Sequence, residues 1–426
     1  AGSADASHTT ASVPAGTAGE VTTVTITVLD EYDNPVTGVS GDLSVTVGGS
    51  NSGSTVGSVT DNGDGTYTVS YTPTIAGTDN LAIALAGTAI SGSPYSSAVS
   101  PGPLAKLVIL TQPSATANSG EAFGQQPTIE LQDAFGNPAT AQGSSRTILS
   151  ATVSSGNGSL IGMAAVRLTG TTERWSFADL GIMGEAGTYE LEFSLTTQPV
   201  DYGVLPIKSD AIVLSAGAPD ASATTAVVAS GTAGEPTTIT ITVRDSEGNP
   251  ISGVPLGDFE ITTGGANSGA IMGDIDDNGD GTYTVTYVPT IAGTDNITIT
   301  LGGNEIGDSP YTSDVSFGAL AELILVGDDT DLASGGTRSV TVTLKDAYGN
   351  TITSGVESTV EVIFMQQGGQ GSITGLSTVD AANGVAEITL TGEKAGTVIL
   401  IAGTTVPTLE SNTLTFDVTV NKSALQ

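Results

Sequence analysis

Oxygen-bearing side chains cluster beside glycines at two places in the chain. Calcium takes six to eight oxygen ligands of this kind, so a calcium site is one interpretation of the clusters. We favour a hairpin turn, because Asn-Gly and Asp-Gly supply the positive φ that tight turns need, and an EF-hand's glutamate at the twelfth position is missing. The candidate ligands are Asp61, Asn62 and Asp64 in the first cluster, and Asp276, Asp277 and Asp280 in the second.

Other reactive combinations are missing from the sequence. Cysteine is absent, which excludes thiolate metal sites and cysteine nucleophiles. His8 is the only histidine, and it stands in a polar stretch without a second metal-ligating neighbour, so no Ser-His-Asp triad can be built without it. The glycine-rich stretch 368–371 lacks the lysine of a phosphate-binding loop. We therefore expect a protein that is not an enzyme, with calcium as the one cofactor to consider.

The charge balance narrows the choice of partners. Ten basic and 45 acidic side chains give a formal net charge of −35, which repels nucleic acid and anionic membranes. No apolar run is long enough to span a bilayer, and residues 1–16 lack the basic start and apolar run of a signal peptide. We expect no nucleic-acid partner and no membrane span in this chain.

The elements that carry these side chains read as strands. Val24, Ile26 and Val28 alternate with threonines, which is the pattern of a strand with one buried face. Short runs of this kind are separated throughout by Gly, Pro, Asn and Asp, the residues that favour turns. The sequence therefore predicts an all-β fold.

A turn motif, Asp-x-x-x-Asn, recurs four times at spacings of roughly 100 residues, the size of one seven-stranded sandwich. It reads DEYDN, DAFGN, DSEGN and DAYGN. The first and third units are near copies, as DNGDGTYTVSYTPTIAGTDN at 61–80 and DNGDGTYTVTYVPTIAGTDN at 277–296 illustrate. We predict four tandem seven-stranded immunoglobulin-like β-sandwiches in an A-B-A′-B′ arrangement. The predicted boundaries are 1–102, 103–216, 217–318 and 319–426, here called the first to fourth segments.

Two families resemble these segments. The first segment, with its DNGDGTY turn and ISGSPYSSAV at 90–99, resembles filamin-type Ig repeats, and the third does so with IGDSPYTSDV at 306–315. The second segment, through LVILTQPSATANSGEAFGQQPTIELQDAFGNP at 107–138, resembles bacterial Ig-like domains of the invasin and intimin kind. The fourth resembles them through its KDAYGN turn.

The resemblance implies spacing, display and adhesion without catalysis. The leading hypothesis is an extracellular structural protein, a rod-like stalk or filament subunit of a cell surface, which associates with itself into a fibre or with neighbouring surface proteins. The alternatives are an adhesin that binds a glycan or protein, and a phage or virus surface decoration or fibre protein. Filamin repeats bind peptides by strand addition, here near 43–48 and 56–60, but the side chains that bind them are not matched.

Four aromatic residues need a structural role. We expect Trp175, the only tryptophan, to anchor a core, with an exposed ligand platform as the alternative. Tyr32, Phe135 and Tyr348 occupy the same position in three of the four Asp-x-x-x-Asn turns. We expect them to pack against a neighbouring domain or to cover a hairpin.

Overall fold

The computed structural model describes residues 1–141, 146–168, 173–199 and 201–420. These residues form strands joined by turns, with short 3-10 helices as their helical elements, so the predicted all-β class is confirmed. The chain divides into two compact units, Ala1–Gly217 and Ala218–Gln426. Within the described ranges no helix is long and apolar enough to cross a membrane.

Two sheets form the first segment. One has the order β1-β3-β6-β5, and the other has the order β2-β9-β7-β4 with β8 paired to β7. The opening strand is divided between them, since β1 pairs with β3 while β2 pairs with β9. This division and the two-residue β8 bring the number of strands above the seven expected. Their bounds are β1 Thr10–Ser12, β2 Gly16–Thr17, β3 Thr22–Thr27, β4 Leu43–Gly49 after a 3-10 helix at Ser40–Asp42, β5 Thr60–Asp61, β6 Thr66–Tyr71, β7 Gly77–Leu85, β8 Thr88–Ala89 and β9 Tyr95–Ser100.

The alternating pattern of β3 places its apolar side chains in the core of this segment. Val24 and Ile26 are fully buried, and Tyr67, also buried, lies opposite Ile26 on β6. Burial of an aliphatic side chain of this size stabilises a fold by roughly 1.5–3 kcal/mol. The core therefore follows directly from the period-two pattern of the sequence.

The second segment contains three sheets around its own core. Their orders are β10-β13-β17, β12-β18-β15, and β11-β21-β19-β14-β16 with β20 on β19. Trp175 on β17 is half-buried and packs against this core, while its Nε1 has no hydrogen-bond partner among the described residues. The bounds are β10 Leu104–Thr111, β11 Thr116–Asn118, β12 Glu121–Ala122, β13 Thr128–Asp133, β14 Arg146–Ser155, β15 Gly158–Ile161, β16 Ala165–Leu168, β17 Arg174–Ser176, β18 Gly181–Gly184, β19 Gly187–Gln198, β20 Ile207–Lys208 and β21 Ile212–Ser215.

The third segment repeats the topology of the first. Its sheets are β22-β24-β27-β26 and β23-β30-β28-β25, with β29 on β28. Ile239, Ile241 and Val243 take the buried positions of the first core, as the near-identical sequence predicts. The bounds are β22 Thr225–Val228, β23 Gly231–Thr232, β24 Thr237–Thr242, β25 Phe259–Gly265 after a 3-10 helix at Leu256–Asp258, β26 Asp276–Asp277, β27 Thr282–Tyr287, β28 Gly293–Leu301, β29 Asn304–Glu305 and β30 Tyr311–Ser316.

The fourth segment has a four-stranded sheet, β31-β33-β37-β35, and a second sheet, β32-β40-β38-β34-β36, with β39 on β38. Val340, Val342 and Leu344 on β33 lie in its core. The bounds are β31 Leu320–Gly327, β32 Leu332–Ala333, β33 Thr337–Asp346, β34 Glu361–Gly368 after a 3-10 helix at Val356–Thr359, β35 Ser372–Thr374, β36 Thr378–Asp380, β37 Val385–Lys394, β38 Gly396–Thr405, β39 Thr408–Glu410 and β40 Leu414–Thr419.

The antiparallel register gives each filamin-like segment two distinct ends. Thr27, the last residue of β3, pairs with Thr66 at the start of β6, whereas Thr22 pairs with Tyr71 at the end of β6. The turn after β3 and the loop after β6 therefore lie at opposite ends of the first segment. In the third segment the corresponding pairs are Thr242 with Thr282 and Thr237 with Tyr287.

Candidate functional site

The Asp-x-x-x-Asn turn of the second segment is closed by its own side chains. Asp133 Oδ1 accepts the backbone N–H groups of Phe135 and Asn137, each at 2.9 Å. The Asn137 amide in turn donates to Asp133 Oδ2 at 2.7 Å. Aspartate favours such turns because its short side chain reaches the backbone two residues on. The result is a rigid loop that presents Phe135 and Asn137 at its tip.

All four copies of the motif form this turn. In each, the first Asp accepts the N–H groups of the residues two and four positions later, and the Asn amide donates back to the Asp carboxylate. The Asp-to-Asn pairs besides 133 and 137 are Asp30 with Asn34, Asp245 with Asn249, and Asp346 with Asn350.

The same aspartate holds the chain that enters its segment. Gly102 N–H donates to Asp133 Oδ2 at 2.8 Å, and Gly318 N–H donates to Asp346 Oδ2 at 2.8 Å. Each glycine belongs to the link between two predicted domains within one unit. The turn therefore fixes the direction in which the link leaves the preceding segment.

The turn also docks on the preceding segment through its asparagine. Asn137 Nδ2 donates to the carbonyl of Thr74 at 2.9 Å, and the N–H of Ala76 donates to Asn137 Oδ1 at 2.8 Å. Both atoms belong to the loop that follows β6, at the end of the first segment opposite its own Asp-x-x-x-Asn turn. The amide of Asn137 thus connects the two segments by donating one hydrogen bond and accepting another.

Phe135, at the tip of the 133–137 turn, covers a glycine at the end of the first segment that also carries the loop 74–76. A Cβ placed on Gly19 would lie 2.4 Å from the Phe135 ring, so a larger residue at this position would force the ring to move. The φ of Gly19 is 85°, in the left-handed region that glycine adopts without strain. We call Gly19 and the loop 74–76 the receiving surface, and the 133–137 turn the joining turn.

The second unit repeats the arrangement. Asn350 Nδ2 donates to the Thr290 carbonyl and the Ala292 N–H donates to Asn350 Oδ1, both at 2.9 Å. The ring of Tyr348 lies 2.4 Å from a Cβ placed on Gly234. The joining turn 346–350 and the receiving surface of Gly234 and 290–292 therefore reproduce the first joint contact by contact.

A buried polar pair holds the receiving loop in shape. Asn51 Oδ1 accepts the N–H groups of Thr74 and Ile75, at 2.8 and 2.9 Å, and its amide donates to the Ile75 carbonyl at 2.7 Å. Asn51 is itself held by Asp79, which is fully buried and also accepts the Tyr71 hydroxyl at 3.1 Å. In the third segment the corresponding residues are Asn267, Asp295 and Tyr287.

This pair connects the core of one segment to the turn of the next. A continuous series of hydrogen bonds runs from Asp79 through Asn51 and the receiving loop to Asn137 and Asp133. Buried polar groups that are fully paired make a loop rigid, because leaving any one of them unpaired costs free energy. The receiving loop is therefore held in shape by hydrogen bonds within its own segment.

The electrostatics of the joint favour an ionised aspartate. Burial of Asp133 raises the pKa of its carboxyl, but hydrogen bonds from Asn137, Gly102 and Phe135 outweigh burial and hold the pKa below its ordinary value. Asp346 behaves in the same way, with hydrogen bonds from Asn350 and Gly318. The charged form of both residues is thus the one that the joint selects.

The predicted calcium ligands of the first cluster lie together in the hairpin between β5 and β6. Asp61 accepts the N–H groups of Gly63 at 2.8 Å and Gly38 at 2.6 Å, and Asp64 accepts the N–H of Thr66 at 2.9 Å. The Asn62 amide donates to the Thr66 hydroxyl at 3.0 Å. The carboxylates therefore serve as turn acceptors here.

The second cluster lies in the equivalent hairpin between β26 and β27. Asp277 accepts the N–H groups of Gly279 and Gly253, and Asp280 accepts the N–H of Thr282, while Asp276 is exposed on β26. In the part of the chain that the structure describes, no three His, Cys, Asp or Glu side chains are grouped so that they could hold a metal. Calcium binding at either hairpin stays a prediction.

Sequence reasoning found the joining turns and missed the receiving surfaces. The expectation that Phe135 and Tyr348 pack on a neighbour agrees with their contacts to Gly19 and Gly234, whereas Tyr32 is 74% exposed. The receiving loop bonds through backbone atoms, which leave no residue signature. The signal that could have found it is the asparagine repeated at Asn51 and Asn267, ahead of the loop in both copies.

The comparisons with known proteins agree with the filamin resemblance. Residues 3–96 and 218–312 match the family described as the Filamin/ABP280 repeat. The chain is also 29% identical over 264 residues to filamin-C of Rattus norvegicus and of Mus musculus. That match covers 59% of this chain and 8% of the relatives, so the chain spans less than a tenth of their length.

Solved structures of bacterial proteins, among them an adhesin and an integrin-binding protein, are similar to the chain at low identity. The Escherichia coli adhesin FdeC is 19% identical, with 98% of this chain and 99% of that chain covered and a TM-score of 0.34. Invasin, a bacterial integrin-binding protein, is 16% identical, with 96% and 79% covered and a TM-score of 0.33. Values this low carry no functional argument. The first and third segments of this chain are similar to filamin repeats, as their motifs predict.

Proposed function

We propose that this chain is a non-catalytic structural protein, a rod-like stalk or filament subunit of a cell surface. It consists of four tandem Ig-like sandwiches in A-B-A′-B′ order, with boundaries at 1–102, 103–216, 217–318 and 319–426. The observation that carries the proposal is the joining turn seated on a receiving surface, present in both units with the same hydrogen bonds.

The contacts of the joint limit bending between two neighbouring sandwiches. Asn137 forms a donor and an acceptor bond with two backbone groups of one loop, so a change of angle between the segments breaks at least one of them. The ring of Phe135 against Gly19 blocks tilting toward that side.

The charge suits an extracellular position. With a net charge of −35, copies of the chain stay hydrated and repel one another unless specific contacts hold them together. The partners that we propose are neighbouring surface proteins and further copies of the chain.

Small-angle scattering of the full chain tests the proposed stiffness. The variant carrying Asn137→Ala and Asn350→Ala should give a broader distribution of maximum dimensions than the natural chain. Asn34→Ala is the matched control, because it alters the equivalent turn of the first segment, which contacts no receiving surface among the described residues. Identical scattering from the double variant and the natural chain would contradict the proposal.

Adhesion through the third segment is a second candidate function. Ile271 is 89% exposed and Val288 is 47% exposed, and they are the chain neighbours of Met272 and Tyr287, which form a β-bridge at the end of β27. The first segment has Thr55 and Thr72 at these positions. An exposed apolar pair where the near-identical first segment has threonines favours a bound partner. Loss of cell or ligand binding in Ile271→Thr, with unchanged unfolding, would support this role.

A further inference from the structure

The first and third segments differ on the outer face of one sheet. In the third segment this sheet has the order β22-β24-β27-β26, and the face consists largely of threonines in both copies. Val227, Ile271 and Val288 are exposed apolar side chains of the third segment, where the first segment has a serine and two threonines. Three hydroxyl side chains are thus replaced by apolar ones on a single face.

Ile271 and Val288 lie opposite each other at one end of this face. Their chain neighbours Met272 and Tyr287 form a β-bridge and pack in the core of the segment. Successive side chains of a strand point to opposite faces, so Ile271 and Val288 both point outward. Both line a hollow of about 460 Å³ at this edge of the sheet. The hollow is large enough to hold an apolar side chain of a partner.

Two carboxylates lie beside the hollow. Asp274 and Asp276 stand where the first segment has Ser58 and Thr60. Both are exposed, and within the described ranges neither forms a hydrogen bond or an ion pair. Asp276 pairs with Thr284 of β27, whose neighbours 283 and 285 face the core, so it lies on the same outer face. The surface therefore combines an apolar hollow with unpaired negative charge.

The third segment offers little positive charge of its own. Arg244, its one basic residue, precedes the 245–249 turn, at the end opposite the loop after β27, and its guanidinium donates to the Gly248 carbonyl at 2.7 Å. The whole chain carries 10 basic and 45 acidic side chains, which disfavours a second copy as the occupant. Charge complementarity instead favours a partner that brings a cation to this surface.

We propose that this surface binds a segment of a partner protein in which an apolar side chain stands beside a lysine or an arginine. The apolar side chain would enter the hollow lined by Ile271 and Val288, and the cation would lie near Asp274 and Asp276. The site is on the face of the sheet that contains β27, not along β25, the outer strand of the other sheet. The proposal rests on the second candidate function, adhesion through the third segment, and names its class of ligand.

The apolar and the acidic parts of the surface have separate roles. Removal of apolar area from water supplies affinity, because this term depends on area and not on charge. The carboxylates orient the partner and speed its association, and salt weakens their effect by screening. A ligand with only the apolar or only the cationic side chain should therefore bind more weakly than one with both.

Fluorescence anisotropy with a labelled short peptide of alternating leucine and lysine tests the proposal on the full chain. Peptides of alternating leucine and glutamate, and of alternating serine and lysine, should bind more weakly. The variant with Ile271→Thr and Val288→Thr carries the residues of the first segment, which fold in the same scaffold. It should bind the leucine–lysine peptide roughly tenfold more weakly. Val326→Thr, which removes an exposed valine from the fourth segment, should leave the affinity unchanged.

Transfer of the surface to the first segment tests whether these residues suffice. The variant with Thr55→Ile, Ser58→Asp, Thr60→Asp and Thr72→Val should bind an additional leucine–lysine peptide per chain, as titration calorimetry measures. In the third segment, Asp276→Thr should weaken binding at low salt and make the affinity less dependent on salt.

Equal affinity of the natural chain and the variant with Ile271→Thr and Val288→Thr would overturn the proposal. A transferred surface without additional binding, or equally tight binding of the leucine–glutamate peptide, would do the same. Adhesion through the third segment stands in those cases if Ile271→Thr still loses cell or ligand binding, because the partner then has a different chemistry. If Ile271→Thr keeps that binding as well, the adhesive function falls with the proposal.

Discussion

The asparagine of the joining turn gives the sharpest test of the joint. Asn137→Ala removes the bond from Nδ2 to the Thr74 carbonyl and the bond from the Ala76 N–H to Oδ1. A neutral hydrogen bond contributes a net 0.5–1.5 kcal/mol, so the two together stabilise the closed joint by about 2 kcal/mol. At about 1.4 kcal/mol for each factor of ten, the closed state should lose roughly 30-fold in population relative to the open state.

Amide hydrogen exchange reads this change at single residues. The Ala76 N–H exchanges when the joint opens, so its protection should fall by roughly 30-fold in Asn137→Ala. The Ile75 N–H, which donates to Asn51 in the same loop, should keep its protection because the bond lies within the first segment. Ala292 in the second unit should also be unaffected.

Three outcomes would refute the reasoning. If Ala76 keeps its protection, the joint does not depend on Asn137. If Ile75 loses protection to the same extent as Ala76, the substitution has unfolded the loop rather than opened the joint. If Asn34→Ala changes Ala76 as much as Asn137→Ala does, the effect is not local to the joint.

Four further predictions follow from the same contacts. Gly19→Ala should destabilise the first joint, because alanine at a φ of 85° costs about 1–2 kcal/mol and its Cβ overlaps the Phe135 ring; an unchanged melting temperature and unchanged Ala76 exchange would contradict this. The hydrogen-bonded Asp133 carboxyl has a pKa in the folded state below its value in the unfolded state. Its contribution to the free energy of unfolding should therefore be complete above about pH 4 and lost as the pH falls through the lower folded pKa. Urea unfolding midpoints measured against pH should show this loss, and Asp133→Asn should make the midpoint less dependent on pH. Thr263→Val should raise the unfolding free energy by about 1 kcal/mol, since the buried Thr263 hydroxyl has no partner among the described residues and the first segment has valine there; a loss of stability would count against it. If calcium binds the β5–β6 hairpin, calcium should raise the melting temperature of the natural chain and not that of Asp64→Ala. Equal melting temperatures of the natural chain with and without calcium would contradict calcium binding and support the interpretation of the cluster as a hairpin turn.

The strands were predictable because their pattern is local. Val24 and Ile26 alternate with threonine, and the structure buries them because a strand has a period of two residues. The division of the opening strand between β1 and β2 was not predictable, since it depends on which sheet each half meets. The strands could therefore be predicted from local sequence, whereas the division of the opening strand into β1 and β2 depends on the strands with which each half pairs.

The joint, too, was predictable from sequence only in part. The turn is visible in sequence because Asp133 and Asn137 fold it through bonds within five residues. Its target is not visible, because the contact is made by the carbonyl of Thr74 and the N–H of Ala76, backbone groups that nearly all residue types carry. Two residues mark the target by their identity: Gly19, whose φ of 85° favours glycine, and Asn51, whose side chain holds the loop.

The four turns in one chain separate what the turn needs from what the joint needs. Glu247 occupies the aromatic position in the 245–249 turn, and that turn still closes, with bonds of 2.8–3.0 Å between Asp245 and its partners. The aromatic ring is therefore not required to form the turn. Phe135 and Tyr348 differ only by a hydroxyl and both cover a glycine, which is the role that remains for them. By the same reasoning, the ring of Tyr32 is not required to close its own turn, and it is 74% exposed.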